Sequence, residues 1–226
     1  MVVTHKTKTE VALQVLREGI RTGELEPGQR LRLADLTAEL RMSPTPIREA
    51  LRLLQADGLV LYRPHQGIVV AAVSPRETAE ILRLRCLLES LAAELAVPIL
   101  TPVQLRELER LHARLATAVS SGRGTAISAS NAAWHWAIYD ASGWVYLREF
   151  IRRLWDVYPW RTMWALPGRA EQSVAEHAEI MESIRARDGA LAAEQLRDHI
   201  ASGKAFVLAQ LEQDQSEPST SAPAPA

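Results

Sequence analysis

Apolar residues in the segment 31–70 first recur at helical spacing and then gather in two short runs. Leu33, Leu36 and Leu40 are three and four residues apart, as on one buried face of a helix. The runs 59–62 and 68–71, joined by Arg-Pro-His-Gln-Gly, predict a hairpin. Between them the spacing predicts a second helix, whose inward positions are Ile47, Ala50, Leu51 and Leu54. This order of elements is that of a winged helix-turn-helix.

A Ser-Pro-Thr-Pro turn predicts where the second helix begins. Ser43 is suited to the N-cap, because its hydroxyl can accept a hydrogen bond from a first-turn amide. Pro44 and Pro46 lie where a helix has no internal amide hydrogen bond to lose. Gly58 is predicted to end this helix.

The outward face of the second helix suits a DNA duplex. Arg48 and Arg52 are four residues apart and share one side of the helix. In the major groove, arginine can bind the two acceptors of guanine together. The helix N-terminus, with Thr45 beside it, suits a phosphate. Two arginines are equally typical of a solvated surface on an ordinary three-helix domain, but the hairpin downstream favours the DNA-binding interpretation.

Residues 11–72 resemble the N-terminal DNA-binding domain of the GntR family of bacterial transcription regulators. The resemblance implies that Thr45 and Arg48 contact DNA from the recognition helix. It also implies that the wing tip at Gln66 and Gly67 approaches the minor groove. The residues that carry it are Ile20, Gly23, Leu25, Pro27, Gly28, Leu31, Leu36, Leu40, Ser43, Thr45, Pro46, Arg48, Glu49, Ala50, Leu51, Leu54, Asp57, Gly58, Leu59, Val60 and Gly67.

Two departures from the family pattern affect the expected operator. Pro44 stands where members usually carry arginine, and Arg41 stands where they often carry glycine. We therefore expect a different operator preference, with Arg32, Arg41 or Arg52 either compensating or serving as plain surface residues. His65 is expected to touch DNA because it lies on the wing. The predicted DNA-binding set is Arg32, Ser43, Thr45, Arg48, Arg52, His65, Gln66 and Gly67.

The composition fits an ordinary globular regulator. The chain has 226 residues, 47% of them apolar, which is enough for one sizeable core or two modest ones. Residues 1–72 hold ten Lys/Arg and eight Asp/Glu, a charge of +2, and the remainder carries −3. Cys86 is the single cysteine, so an intrachain disulfide is excluded. The sequence shows no apolar run long enough for a membrane span and no signal core, so we expect a cytoplasmic protein without a membrane partner.

The second half of the sequence reads as helices only. Ser74 and Thr101 each open a capping box, and the first of these helices is predicted to face the core with Ile81, Leu84, Leu88, Leu91 and Leu95. Further helices are predicted at 126–141, at 146–164 with a break near Pro159, at 169–187 and at 190–212. The predicted fold is mainly α: a winged helix-turn-helix domain over 1–73, an all-α bundle over 74–214 and a disordered tail over 215–226.

Three histidines fall on three different predicted helices. They are His135, His177 and His199, and Asn131 lies one turn before the first of them, on the same side. Three imidazoles and one oxygen can bind a first-row divalent ion. Each histidine alone is equally typical of a hydrogen-bonded core or surface residue, and spacing cannot bring separate helices together.

Residues 75–210 resemble the FCD ligand-sensing domain of the FadR-like subfamily. The resemblance rests on the segments 85–89, 131–135, 176–177 and 188–199. It implies that Asn131 and the three histidines bind a divalent metal such as zinc or nickel, beneath a pocket for a small carboxylate effector. Asn131 replaces the usual aspartate and Trp134 the usual phenylalanine, so all four ligands are neutral. A metal-free pocket, in which the histidines bind the effector directly, is the alternative.

Arg85 is the predicted effector contact. Its guanidinium can bind a carboxylate bidentately if it faces the bundle interior. The alternative is a local ion pair with Glu89, one turn further along. Glu176, next to His177, is predicted to point to the opposite side of its helix.

These features together predict a metabolite-responsive transcription repressor. A homodimer would read a short palindrome in double-stranded DNA. A metal-dependent enzyme built on the histidines is disfavoured, because the sequence lacks a His-x-x-x-His pair, a base-like glutamate beside it and a nucleophile motif. An architectural DNA-binding protein without an effector is the third alternative.

Overall fold

The structure, a computed structural model, describes residues 6–122, 124–158 and 160–216. Within these residues the chain is mainly helical, with one small antiparallel sheet, which confirms the predicted fold class. The elements are α1 (Lys8–Thr22), α2 (Leu33–Leu40), α3 (Pro44–Ala56), β1 (Val60–Arg63), β2 (Gly67–Val70), α4 (Pro75–Ala96), α5 (Pro102–Ser120), α6 (Gly124–Ala141), α7 (Val145–Val157), α8 (Trp160–Ala165), α9 (Arg169–Arg185) and α10 (Gly189–Ser216). No helix in this part of the chain combines the length and apolar character that crossing a bilayer requires.

The chain divides into two compact units, and the first contains a winged helix. It comprises the described residues up to Val73 together with Val145–Arg161. The β1 and β2 strands pair antiparallel, with Val60 opposite Val70, and Arg30 forms an isolated bridge to Val69. The inward face predicted for α3 is confirmed, since its four apolar positions are buried in a core with α1 and α2. That core contains Ala12, Leu16, Leu31, Leu36, Ile47, Ala50, Leu51, Leu54, Leu59, Val60 and Val70.

Arg41 and Ser43 bound the turn between α2 and α3, and they adopt different backbone conformations. Ser43 is the N-cap of α3 as predicted, in the extended conformation with φ −66° and ψ 158°, but the predicted hydrogen bond to its hydroxyl is not formed. The side chain is exposed, and water can satisfy the first-turn amides instead. Arg41 closes α2 with φ 51°, the left-handed conformation that glycine adopts at lowest cost.

Helix α7 belongs to the first unit, although the sequence placed it in the bundle. Its last residue, Val157, packs on the winged-helix core. The carboxylate of Asp156 lies 3.2 Å from Arg17 Nε and 2.8 Å from Arg152 Nη1. Arg17 also pairs with Asp57 at the end of α3, so one arginine of α1 joins both helices. The predicted break near Pro159 is present, since α7 ends at Val157 and α8 begins at Trp160, with Pro159 itself outside the described residues.

The second unit is a helical bundle. In it α4 packs along α10, α5 packs against α6, and α9 contacts both α5 and α10. Both predicted capping boxes are present, at Ser74 with Glu77 and at Thr101 with Gln104. Helix α10 continues to Ser216, four residues beyond the predicted end, so the prediction of a disordered tail from 215 was wrong for residues 215 and 216. The rest of that predicted tail, from 217 onward, lies outside the described residues.

The inward face predicted for α4 was wrong. Leu84 is 47% exposed, its neighbour Leu87 is 57% exposed, and the other stripe positions are only partly buried. The buried side instead carries polar and small residues, because α4 lies close to its neighbours. A Cβ built on Gly189 of α10 would come within 2.7 Å of the carbonyl oxygen of Glu94. The residues buried along α4 are Thr78, Leu82, Arg85, Glu89, Ser90, Ala92, Ala93 and Ala96.

Candidate functional site

The exposed side of α3 carries the residues predicted to read DNA. Thr45 and Arg48 are exposed, opposite the buried stripe of the helix. The side chain of Arg52 is 75% exposed and its Nη1 lies 2.9 Å from Glu49 Oε1. Such a surface pair contributes little free energy, so it does not prevent the guanidinium from binding another partner. Arg32 and Ser43 are exposed as well.

The wing tip is a tight turn that presents polar side chains. His65 and Gly67 have φ values of 66° and 80°, and the amide of Gln66 donates to the carbonyl of Arg63 at 3.2 Å. The side chains of His65 and Gln66 are exposed, and Gly67 is half-buried. Glycine is suited to the left-handed conformation at position 67.

The structure brings His135, His177 and His199 together inside the second unit. They come from α6, α9 and α10, are buried, and each offers a nitrogen within 4.8 Å of the other two. The Nε2 atoms of His177 and His199 are 3.2 Å apart. Two nitrogens bound to one ion at about 2.1 Å stand roughly 3.0–3.4 Å apart in octahedral or tetrahedral geometry. The observed spacing therefore fits two ligands of a single cation.

Polar atoms of His177 and of Asn131, which lies on α6 with His135, are buried without a hydrogen-bond partner within the residues that the structure describes. Asn131 is 2% exposed and precedes His135 by one turn of α6. In the described part of the chain, Asn131 Oδ1 and His177 Nδ1 have no hydrogen-bond partner. A buried acceptor without a donor is costly, and such groups usually have an explanation. A cation at this cluster would give Asn131 Oδ1 a partner, so the residues present fit a divalent metal.

A first chain of hydrogen bonds connects His135 to Arg85. His135 Nδ1 lies 2.9 Å from the hydroxyl of Tyr139, and that hydroxyl donates to the carboxylate of Glu89. Arg85 Nε donates to Glu89 Oε1 at 2.7 Å, and both side chains are almost fully buried. The structure thus shows the local pair of Arg85 with Glu89 that the sequence offered as the alternative.

A second chain of hydrogen bonds connects His199 to Arg169. His199 Nδ1 lies 2.7 Å from Glu176 Oε2, which also accepts from Arg169 Nη1 at 2.9 Å. Arg169 Nη2 donates to the carbonyl of His199 at 3.2 Å. The prediction that Glu176 points away was therefore wrong, because its carboxylate reaches across to α10. The sequence reasoning missed Arg169, although its seven-residue spacing from Glu176 places both on one face of α9.

Burial determines the charge state of the cluster. Burial, followed by the neighbouring His199, lowers the pKa of His135 and His177 well below the usual range. The pKa of His199 is also lowered by burial, against the opposing hydrogen bond from Glu176. Burial alone would raise the pKa of Glu176, but the hydrogen bonds and charges of His199 and Arg169 lower it to about 2. The imidazoles are thus neutral at pH 7 and have lone pairs for a cation.

Trp134 fixes the plane of the third histidine. Its indole stacks on the His177 imidazole with ring centroids 3.9 Å apart and an interplanar angle of 17°. Trp134 is fully buried, and its Nε1 has no hydrogen-bond partner among the described residues. His177 is therefore held by stacking on Trp134 together with its contact to His199, whereas His135 and His199 are also held by hydrogen bonds to Tyr139 and Glu176.

Comparisons with known proteins agree with this arrangement. The FCD domain family matches residues 80–202, and the family of bacterial regulatory proteins named gntR matches residues 8–70. The HTH-type transcriptional regulator McbR of Escherichia coli K12 is 39% identical over 156 residues, which are 67% of this chain and 71% of McbR. The HTH-type transcriptional repressor GlaR of the same organism is 28% identical over 201 residues, 82% of this chain and 89% of GlaR.

Solved structures show the same fold. The structure of E. coli McbR/YncC superposes with a TM-score of 0.81 at 30% identity and covers 94% of this chain and 100% of that chain. A GntR regulator from Rhodococcus sp. RHA1 superposes with a TM-score of 0.76 at 19% identity, over 90% of this chain and 99% of that one.

Proposed function

Because this chain belongs to the GntR family of bacterial transcription regulators and carries an FCD domain, we propose that it is a repressor controlled by a small carboxylate metabolite. The family and its relatives are transcription regulators, so the chain is not an enzyme. GlaR, a relative over most of the chain, is named a repressor, which supports that direction of control. In this proposal the winged helix within residues 1–73 binds DNA, and the helical bundle of the second unit binds the effector.

The exposed face of α3, with the wing beside it, is the observation that carries the DNA-binding part. Thr45 and Arg48 occupy the first turns of a helix whose opposite side is fully buried, so this face is presented to a partner. An exposed helix of this kind fits the major groove, and an arginine there distinguishes guanine from other bases. We assign DNA contacts to Arg32, Ser43, Thr45, Arg48, Arg52, His65, Gln66 and Gly67.

The test is the substitution Arg48→Ala on an operator selected from fragments of the source genome. Loss of a base contact should cost roughly 1–3 kcal/mol of binding free energy and relax specificity at one base pair. Fluorescence anisotropy at fixed salt measures the affinity. Arg110→Ala is the control, because Arg110 is likewise an exposed helical arginine but lies on α5 of the second unit. If Arg48→Ala binds the operator like the parent, α3 is not the recognition helix.

For the second unit we propose a divalent metal, zinc or nickel, bound by Asn131, His135, His177 and His199. When bound, the ion would attract and orient the carboxylate of the effector. Arg85 stays a predicted effector contact, although its guanidinium already pairs with Glu89. A thermal-shift screen with metals and carboxylates tests this proposal. Stabilisation by a metal or a carboxylate would support it, and no stabilisation by any compound would favour the effector-independent alternative.

We propose that the regulator acts as a homodimer on a palindromic operator. Two recognition helices related by a two-fold axis read two half-sites. Leu84 and Leu87 on α4 are exposed apolar side chains of the kind that a second copy would cover. The effector would then change the relative placement of the two wings, which is coupling between separate sites.

A further inference from the structure

Two of the clustered histidines are connected to buried arginines by chains of hydrogen bonds. His199 contacts the Glu176 carboxylate directly, whereas His135 reaches a carboxylate through Tyr139. The first arrangement is the carboxylate–histidine pair common beside bound metals. In the second, the phenol of Tyr139 lies between the histidine and the carboxylate of Glu89, and neither Tyr139 nor Glu89 is a predicted metal ligand.

The direction of the hydrogen bonds fixes the proton on His135. A neutral phenol has one proton, and Tyr139 donates it to the carboxylate of Glu89, which can only accept. The phenol oxygen must therefore accept from His135, so the imidazole proton lies on Nδ1. In a neutral imidazole the lone pair is then on Nε2, the nitrogen needed for a metal bond if the ring keeps this orientation.

Burial makes this arrangement costly unless every member is satisfied. The side chains of Arg85 and Glu89 are 4% and 0% exposed, and Tyr139 is 1% exposed. An ionised pair in such a place is weak evidence for stability alone, since removing it from water offsets much of the attraction. Glu89 of this pair also accepts a hydrogen bond from Tyr139, which in turn orients His135. This arrangement indicates that the pair has a second role.

We propose that Tyr139 and Glu89 are positioning residues for the metal site, with Arg85 acting on that site by holding Glu89 in place. This inference rests on the proposed metal site. It gives α4 a part in metal binding, although α4 supplies no ligand. Among titratable and charged groups, His135 from its own helix and the Arg85–Glu89 pair from α4 face Tyr139.

Tyr139→Phe tests the proposal, because it removes one oxygen and keeps the ring. We expect zinc affinity, measured by titration of the apo protein without any carboxylate, to fall about 10- to 100-fold. The absorption spectrum of bound Co²⁺ should also shift, which a loss of packing elsewhere would not cause. Tyr158→Phe is the matched control, since Tyr158 is a buried tyrosine of the first unit. Unchanged zinc affinity in Tyr139→Phe would overturn the proposal.

The positions of the imidazole protons can be measured in the parent protein, without any substitution. Nitrogen-15 spectra of the apo protein should place the imidazole protons of His135 and His199 on Nδ1. A parent protein with the His135 proton on Nε2 would overturn the proposal even if Tyr139→Phe failed to fold. In the folded variant, the His135 signals should change and those of His199 should stay.

A double-mutant cycle separates the positioning role of Arg85 from an effector contact. If Arg85 acts through Glu89 and Tyr139, Arg85→Gln weakens zinc binding in the absence of carboxylate, and the loss shrinks when Tyr139 is already phenylalanine. Additive losses, or no loss, would overturn the assigned role. These assays contain no DNA, so the DNA-binding part of the proposed function stands or fails separately. A parent that binds no zinc would overturn the metal site and the positioning role together.

Discussion

At the scale of single residues, Asn131 decides the charge of the proposed metal site. The three histidines are neutral and Asn131 adds a neutral amide, so the ligands supply no negative charge. The buried arginines do not change this balance, because Arg85 pairs with Glu89 and Arg169 with Glu176. A divalent cation would therefore leave its full charge uncompensated in a buried place. A carboxylate effector would supply the missing anion.

We expect metal and carboxylate to bind the parent protein cooperatively. Acetate should raise the zinc affinity of the apo protein by roughly 5- to 150-fold, the usual range of coupling between ligands. Asn131→Asp supplies the anion permanently, so it should bind zinc more tightly alone and respond less to acetate. Isothermal titration with and without acetate measures both effects, with uncharged acetamide as the control ligand. Equal zinc affinity of the parent with and without acetate would contradict this explanation.

At the scale of elements, the exposed leucines of α4 allow a test of the dimer. Replacing Leu84 and Leu87 by glutamate places charges where a second copy is proposed to pack, so the dimer should dissociate at micromolar concentration. Analytical ultracentrifugation measures the mass. Val103→Glu on α5 is the control, because Val103 is a 67% exposed apolar residue on another helix. A double variant that remains dimeric would move the interface away from α4.

The elements predicted well are those defined by local chemistry. The stripe of α3, the wing turn and both capping boxes depend on residues a few positions apart, so the sequence contains all the information. The face of α4 was misjudged because leucines suggested the core, whereas close packing against α10 selected small and polar residues. Which face is buried depends on the partner helix, and the sequence of α4 does not contain that partner.

The candidate site was predictable only in part. The resemblance to the FCD domain named the three histidines, and the structure shows them within reach of one another. The residues that hydrogen-bond to these histidines could not be predicted without the fold. Glu176 and His199 lie on different helices, and so do Tyr139 and Glu89. The four-residue spacing of His135 and Tyr139 was a usable signal that the reasoning overlooked.

At the scale of the whole molecule, the buried histidines make stability depend on pH. In the folded apo protein the pKa of His135 and His177 lies well below 6.5, so these side chains stay neutral in weak acid. The unfolded chain binds protons there as the pH falls through about 6.5. The unfolded state then holds more protons, so the free energy of unfolding falls with falling pH. The lowered pKa of Glu176 acts in the same direction in stronger acid, between 4.5 and about 2.

We therefore expect the metal-free protein to lose about 1 kcal/mol of unfolding free energy per buried histidine between pH 7.5 and 5.5. Urea denaturation at the two pH values, followed by tryptophan fluorescence, measures the loss. His177→Gln should reduce the loss, because it removes one of the buried imidazoles. Stability that is constant or rises toward pH 5.5 would show that these imidazoles are protonated in the folded protein.

The position of α7 has a consequence for anyone who wishes to recombine this regulator with others. Its Asp156 and Val157 contact the winged-helix unit, yet they are encoded after residues 74–144, the first part of the helical bundle. Cutting the gene at Val73 would separate the winged helix from α7, the fourth helix of its unit, and would expose apolar surface. A chimera that exchanged everything beyond that point would replace part of the DNA-binding unit along with the helical bundle. Modular exchange would have to transfer Val145–Val157 together with the N-terminal segment.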